Sequence, residues 1–340
     1  MAHDAEKTAV FQGCVIAVAV VGALANGLLC FLLVQLERKK PGSTNLLILN
    51  QMSLDCLTCT ALVVIYSLKF SKFYMEGLAG YLLCQLVFSE VIIWIGLNGS
   101  VAGIVVITLE RYFKIVHPVA HKNHFRKWMI YAGAAASWLN GFLVTAPASW
   151  STTNVIFGQC YGSAFWPSVT SRKAFGVWVF VWIFLLPLLI FAYCYGSILA
   201  VIRRRAKISA LASGSGNAAT AAGSLSMSAH RTQTNVVKTM IIIIVFYAMT
   251  SCSNECYFLF VNFQFNLNLN QNVYSATLFM LFLHVCGNPF IYASQYNVIK
   301  SRLDVLLKRQ SPTTVQPIHI ITVSGFQASA EQNQVQNTSA

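Results

Sequence analysis

The chain has 340 residues, of which 56% are hydrophobic and only 10% are charged, and its mean hydropathy is +0.61. Soluble domains carry about 25% charged residues, and disordered chains lack this many large apolar side chains, so the composition excludes both classes. The net charge of +13 would suit nucleic acid, but the basic residues alternate with long apolar segments. That arrangement indicates membrane topology, with lipid and not nucleic acid as the surrounding partner.

Seven apolar segments are long enough to cross a bilayer, for which a helix needs about 20 mostly apolar residues. In chain order they cover residues 8–36, 46–68, 81–109, 128–149, 174–202, 239–261 and 273–294. Residues 296–309 mix apolar with basic side chains, as in a short amphipathic helix along the inner leaflet. The sequence therefore predicts an all-α membrane protein, a seven-transmembrane helix bundle with a short amphipathic cytoplasmic helix after span seven.

The distribution of Lys and Arg predicts the orientation, because cytoplasmic loops retain basic residues. Of the 23 Lys and Arg, 18 lie in alternate loops and after span seven. We therefore expect a multi-pass plasma-membrane protein with its N-terminus outside and its C-terminus in the cytoplasm. The expected parts are a short extracellular N-terminus (1–9), a transmembrane domain (10–295) with a flexible cytoplasmic loop at about 205–232, the amphipathic helix (296–309) and a disordered tail (310–340).

Polar residues inside the spans are costly in lipid and usually face the interior of the bundle. Asp55 lies in the middle of span two, and Asn26, Ser100 and Asn288 lie at comparable depths in spans one, three and seven. This set could hold a small cation such as sodium, or it could satisfy one buried acid by hydrogen bonding. Pro289, next to Asn288, leaves a backbone carbonyl free and is expected to kink span seven.

Two of the ten cysteines, Cys84 and Cys160, fall near the outer surface, whereas the other eight lie within spans. The oxidising exterior permits a disulfide between them, which would pin the loop between spans four and five across the mouth of the bundle. Two unpaired thiols are the alternative.

A further motif, Glu110-Arg111-Tyr112, stands at the inner end of span three. With it the chain resembles the rhodopsin-like (class A) G protein-coupled receptors over residues 10–309. The matching positions, all read from the sequence, are Asn26, residues 45–50 leading to Asp55, Ser100, Glu110-Arg111-Tyr112, Pro118, Trp138, Pro187, Tyr195 and Asn288-Pro289-Phe290-Ile291-Tyr292.

The resemblance implies a receptor and not an enzyme: an extracellular ligand favours a bundle arrangement that activates a heterotrimeric G protein inside. Arg111 would pair with Glu110 at rest and turn toward Tyr195 on activation, while Tyr292 turns inward. Val119, after Pro118, would contact the G protein. Asp55, Ser100 and Asn288 would form a sodium pocket, with sodium as the one expected bound modulator. Arrestin and a receptor kinase are further expected partners.

The sequence departs from the family pattern in span six and near Cys84. Counted from Phe246, the stretch that usually carries a tryptophan and a proline reads Met249-Thr250-Ser251-Cys252. No acid lies near Thr232, where many relatives place a partner for the arginine, so we expect a weak resting lock and basal signalling. Cys84 precedes Arg111 by 27 residues, two more than in the family, so the disulfide requires a local adjustment.

The ligand is the least defined feature. Span seven has no lysine for a retinal Schiff base, and Ile93 occupies the position where amine receptors place an aspartate, so both ligand classes are disfavoured. Peptide and small molecule stay open. The expected pocket residues are Glu90, Ile93, Trp94, Asn254, Glu255, Tyr257 and Leu278.

A seven-span ion channel or transporter is the alternative function. It would use the intramembrane acids Asp55, Glu90 and Glu255 as an ion path.

Overall fold

The computed structural model describes the backbone of residues 2–39, 42–71, 73–162, 165–213, 221–263 and 271–308. The side chains of 2–7, 124, 209–213, 221–234, 271, 298 and 304–308 fall outside that description. The compact unit is Met1–Leu303, and Asp304–Ala340 forms a separate unit. The predicted tail at 310–340 lies outside the described residues.

The described residues form helices and one small hairpin. The helices are α1 (Ala2–Lys39), α2 (Ser43–Leu68), α3 (Gly77–Leu83), α4 (Val91–Val116), α5 (Pro118–His124), α6 (Lys127–Thr152), α7 (Val169–Val179), α8 (Leu186–Ser213), α9 (Ala221–Asn262), α10 (Gln271–Gln295) and α11 (Asn297–Lys308). Strands β1 (Asn154–Ile156) and β2 (Gln159–Tyr161) pair antiparallel, and π turns join α3 to α4 (Cys84–Phe88) and α7 to α8 (Phe180–Leu185).

Within the described residues, seven helical segments are long and apolar enough to cross a membrane, which confirms the predicted seven-span bundle. Spans three and five are composite, covering Gly77–Val116 and Val169–Ile208. Helix α4 lies at the centre and contacts α2, α6 and α8, while α1 packs against α2 and α10.

Helices extend into two segments that were expected to be non-helical, and the expected amphipathic helix lies at its expected position. Helix α1 already begins at Ala2, within the segment expected to be a short N-terminus. Helices α8 and α9 extend to Ser213 and from Ala221, into the stretch expected to be a flexible loop. Helix α11, at Asn297–Lys308, occupies the position of the expected amphipathic helix, and Ile299 anchors it to the buried core.

The predicted disulfide between Cys84 and Cys160 is confirmed, and the local adjustment that it needs is visible. Cys84 opens a π turn, and the helix is then interrupted at Glu90, whose φ of 61° lies in the left-handed region. This wider turn and break absorb the additional residues between Cys84 and Arg111. Cys160 lies on β2, whose turn is Phe157-Gly158 with φ of 49° and 72°, a geometry suited to a tight hairpin.

Two prolines free backbone carbonyls that side chains from other helices then satisfy. Pro187 cannot donate to the Ile183 carbonyl one turn earlier, and the hydroxyl of Tyr247 on α9 donates to that oxygen instead. Pro289 likewise frees the Val285 carbonyl, to which Asn26 Nδ2 on α1 donates at 3.1 Å. The turn before Pro187 is thereby hydrogen-bonded to α9, and the turn before Pro289 to α1.

Candidate functional site

The first candidate site is an ionic cluster at the inner end of α4. Arg111, only 4% exposed, places its Nε 2.7 Å from Glu110 Oε2. Ser43 Oγ on α2 donates to Glu110 Oε1 at 2.8 Å, and Lys114 Nζ lies 3.7 Å from the same oxygen. One buried carboxylate therefore holds the arginine and joins α4 to α2.

The arginine itself has few partners. Its Nη2 is buried without a hydrogen bond in the described part of the chain. The described side chains at the inner end of α9, residues 235–240, include no carboxylate. Thr232 marks the position near which many relatives have an acid and this chain has none, and its side chain lies outside the described part of the structure. Glu110 is thus the acidic partner of Arg111 among the residues that the structure describes.

Aromatic side chains surround this cluster. Tyr195 on α8 and Tyr292 on α10 are buried in the same apolar core, and the Tyr292 hydroxyl lies 4.0 Å from Met240 Sδ. Tyr112 points outward, with its hydroxyl 3.5 Å from that of Tyr193. Tyr195, toward which Arg111 is expected to turn, and Tyr292, which is expected to turn inward, therefore come from the two spans that contact α9.

The loops at this end of the bundle lie next to the ionic cluster. Pro118 begins α5, and Val119 beside it is 72% exposed. Tyr296, between α10 and α11, donates its hydroxyl to Asn45 Oδ1 at 2.9 Å, and burial raises the pKa of this phenol. Val119 is therefore an exposed apolar side chain next to a loop with basic residues.

The second candidate site is a polar cluster around Asp55. Asn288 Nδ2 donates to Asp55 Oδ2 at 2.8 Å, and Gln51 Nε2 lies 3.3 and 3.4 Å from the two carboxylate oxygens. Gln51 Nε2 also donates to Ser100 Oγ. Ser100 therefore contacts Gln51 and also lies within hydrogen-bonding reach of the Asp55 carboxylate. The sequence analysis missed Gln51, although it lies one helical turn before Asp55.

Asn26 lies beside this cluster but is not bonded to Asp55. Its Nδ2 donates to the carbonyls of Gly22 and Val285. Three buried amide oxygens of these residues have no hydrogen-bond donor in the described structure, namely Asn26 Oδ1, Gln51 Oε1 and Asn288 Oδ1, although Gln51 and Asn288 turn their amide nitrogens toward the carboxylate. Oxygen acceptors beside a carboxylate are the ligands that hard cations prefer, so the residues present fit a small cation.

The third candidate site is a cavity between α4, the π turn Phe180–Leu185, α9 and α10, with room for about one water molecule. Its lining residues are Trp94, Leu97, Asn98, Val101, Ile183, Tyr247, Ser251, Glu255, Leu281 and His284. Of the seven expected pocket residues, the structure places Trp94 and Glu255 here.

The other expected pocket residues lie elsewhere. Glu90 forms an ion pair with Lys69, whose ammonium lies 4.8 Å from the centre of the Tyr66 ring. Ile93 and Leu278 are buried in the apolar core, and Asn254 is buried without lining the cavity. Tyr257 packs against Tyr274, with 5.4 Å between ring centres. The helical break at Glu90 turns that side chain toward span two and away from the cavity.

Span six places Tyr247 and Ser251 next to the cavity. Tyr247, and not the neighbouring Phe246, is fully buried between α8 and α10, and Ser251 lines the cavity. His284 and Ser251 were not expected in the pocket. The signal that could have found His284 is that span seven contains no Asp, Glu, Lys or Arg and has His284 as its single histidine.

Comparison with known proteins agrees with this architecture. Residues 25–292 match the family described as 7 transmembrane receptor (rhodopsin family). The chain is 26% identical over 168 residues to Neuropeptide receptor npr-1 of Caenorhabditis elegans, covering 48% of this chain and 35% of that receptor. It is 29% identical over 206 residues to N-formyl peptide receptor 2 of Homo sapiens, covering 56% and 57% of the two chains.

Somatostatin receptor type 4 of Rattus norvegicus is 28% identical over 193 residues, covering 55% of this chain and 48% of that receptor. The chain thus spans from about a third to somewhat more than half of the length of these curated relatives. The family match extends from span one to the Asn288–Tyr292 motif and includes the ionic cluster, the Asp55 cluster and the disulfide. This chain belongs to the rhodopsin family of seven-transmembrane receptors.

Proposed function

We propose that this receptor lies in the plasma membrane with its N-terminus outside, binds an extracellular peptide and activates heterotrimeric G proteins. The observation that carries the proposal is the buried Arg111, held by Glu110 alone among its described acidic neighbours. The three relatives described above are named as receptors for neuropeptides, formyl peptides and somatostatin, which supports a peptide ligand.

The proposed mechanism is a shift between two arrangements of the bundle. A ligand that binds the active arrangement more tightly populates it in proportion to that difference in affinity. Arg111 then leaves Glu110 and turns toward Tyr195, and Tyr292 turns inward. Val119 and the basic loops contact the G protein. A receptor kinase and arrestin would subsequently act on the cytoplasmic segments.

We also infer that sodium binds beside Asp55 and favours the resting arrangement. The fit rests on the carboxylate and on the buried amide oxygens that lack donors. Gln51, whose amide donates to Asp55 and Ser100, would rotate to present its oxygen to the ion.

The test of coupling is the Arg111→Ala variant, assayed in intact cells with a library of amidated peptides and a panel of chimeric G proteins. We expect peptide-stimulated second messenger to be lost at equal surface expression. Arg172→Ala is the matched control, because Arg172 contacts Asn262 and the Val261 carbonyl at the opposite end of the bundle. A full response from Arg111→Ala would contradict the proposal.

The same variant separates a receptor from the channel or transporter alternative. Ion flux along Asp55, Glu90 and Glu255 would not depend on Arg111. Because Glu90 is paired with Lys69 and Asp55 with amides, the described structure does not favour such a path. Currents that persist in Arg111→Ala and disappear in Asp55→Asn would support the alternative.

A further inference from the structure

The cavity between α4, the π turn Phe180–Leu185, α9 and α10 concentrates polar atoms that have no hydrogen-bond partner in the described structure. Glu255 Oε2, Ser251 Oγ and both ring nitrogens of His284 are buried and make no hydrogen bond to any described residue. These three residues are at most 5% exposed, and all line the same cavity. Burying polar groups without partners is costly, so such a concentration points to a bound group that completes them.

Glu255 differs from the other described acids of the spans. Glu90 is paired with Lys69, Glu110 with Arg111, and Asp55 accepts from Gln51 and Asn288. No Lys or Arg is among the side chains that line the cavity. A buried carboxylate requires a cation or several donors, and here no described side chain of the lining donates to Glu255 Oε2.

The number and size of the missing partners restrict the occupant. A primary ammonium is about as large as a water molecule and has three N–H donors. The cavity offers matching acceptors in the Glu255 carboxylate, the Ser251 hydroxyl and one nitrogen of His284. The broader guanidinium does not suit a space for about one water molecule. Only the ammonium group fits this space, so the carbon chain that carries it has to lie outside the water-sized cavity, beyond the apolar lining residues Trp94, Leu97 and Leu281.

We propose that this cavity binds the primary ammonium group of the ligand, with Glu255 as its counter-ion and Ser251 and His284 as the further acceptors. The inference rests on the proposed ligand-activated function and specifies the chemistry of that ligand. The ammonium belongs to a lysine side chain or amino terminus of a peptide, or to a small primary amine.

Binding is tested on the purified full chain in lipid nanodiscs, with n-butylammonium as the probe and the unfolding temperature as the readout. We expect n-butylammonium to raise the unfolding temperature of the wild type with a saturable dependence on concentration. N,N,N-trimethylbutylammonium, which has no N–H donor, and n-butanol, which has no charge, should not. In Glu255→Gln the apparent affinity should fall about thirtyfold or more, because a buried charge pair is lost.

Glu90→Gln is the matched control, because that acid already has Lys69 as its partner, and it should respond like the wild type. Ser251→Ala provides a second variant in case Glu255→Gln does not fold, and it should also weaken binding. An absent response in the wild type, or equal responses of wild type and both cavity variants, would overturn the inference.

A second arm separates the inference from the proposed function. In cells, lysine-containing amidated peptides are compared with matched peptides in which lysine is replaced by norleucine. Equal signalling by both sets, unaffected by Glu255→Gln, would overturn the ammonium site while leaving the receptor function intact. Glu255-dependent binding of n-butylammonium without any G protein response would instead contradict the receptor function alone.

Discussion

Asp55 shows how one residue acquires its surroundings from several helices. Its own helix contributes Gln51, α4 contributes Ser100 through that glutamine, and α10 contributes Asn288. A carboxylate held this way gains charge-assisted hydrogen bonds, which are stronger than neutral ones. The amide oxygens left without donors make the same position suitable for a cation.

This arrangement predicts a sodium-dependent stability. Replacing choline chloride by sodium chloride at equal ionic strength should raise the unfolding temperature of the ligand-free protein, since a bound ion stabilises the folded state. In Asp55→Asn the increase should disappear. Glu90→Gln, which removes a different intramembrane acid, should keep it. An equal increase in all three proteins would contradict a site at Asp55.

The hydrogen bond from Ser43 to Glu110 leads to a prediction about ligand-free signalling. Ser43 Oγ donates to its carboxylate, and a hydrogen bond to a charged group contributes about 1.5–3 kcal/mol. Ser43→Ala should therefore loosen the hold of Glu110 on Arg111 and raise ligand-free second-messenger output at equal surface expression.

Ser53→Ala is the control in the same helix, because the Ser53 hydroxyl donates to the Leu49 carbonyl of its own helix. It should leave basal output unchanged. Basal output of the wild type that equals that of empty cells would contradict the weak resting lock itself.

At the scale of helices, the most unusual feature is the side-chain contact by which Tyr247 on α9 joins span five. Span six lacks the usual tryptophan and proline, yet Tyr247 reaches the carbonyl that Pro187 leaves free. The same ring lies 5.3 Å from that of His284 on α10. Tyr247 thus connects the ammonium-binding cavity to two neighbouring spans.

Tyr247→Phe should consequently lower the unfolding temperature of the purified protein. The Ile183 carbonyl would be buried without a donor, at a cost of about 1–3 kcal/mol. Tyr257→Phe, on the same helix, is the matched control, because Tyr257 makes a ring contact with Tyr274 that phenylalanine preserves. Equal unfolding temperatures for the wild type and Tyr247→Phe would exclude this role.

The crossing of α4 and α6 depends on a close backbone approach at Gly141. A Cβ there would overlap the Ile95 carbonyl oxygen and lie 3.0 Å from the Gly99 nitrogen. Gly141→Ala should therefore destabilise the bundle by about 1–3 kcal/mol, as overpacking does.

Gly196→Ala is the control for this substitution, because a Cβ at Gly196 meets nothing within 4 Å. It should be neutral or slightly stabilising, since alanine favours a helix over glycine. The yield of folded receptor and its unfolding temperature measure both effects. Similar losses in the two variants would contradict the close approach.

At the scale of the whole molecule, seven spans require the two chain ends to face opposite sides of the membrane. We predict that an epitope tag before Met1 is stained on intact cells and that a tag after Ala340 is stained only after permeabilisation. A tag inserted in the loop after α2, near Phe73, should behave like the N-terminal tag. Staining of both ends on intact cells would contradict the topology.

The arrangement of spans could be predicted from sequence because lipid excludes unsatisfied polar backbone and most charges, which leaves apolar runs of helical length as a strong local signal. Cys84 and Cys160 could be paired because the topology left them alone near the outer surface. The pocket could not be predicted equally well. Glu90 was expected there, but the π turn and the left-handed residue after it direct its side chain to Lys69.

By itself, the sequence determined the seven-helix bundle, the disulfide and the positions of the family motifs, since these depend on hydrophobic length, compartment and order along the chain. Only the tertiary structure decided that Gln51 joins Asp55 to Ser100, that Tyr247 satisfies the carbonyl freed by Pro187, and that Glu255 and His284 face one cavity. The physical reason is that these contacts join different helices, whose rotation and irregular turns are set by packing and not by local residue preference.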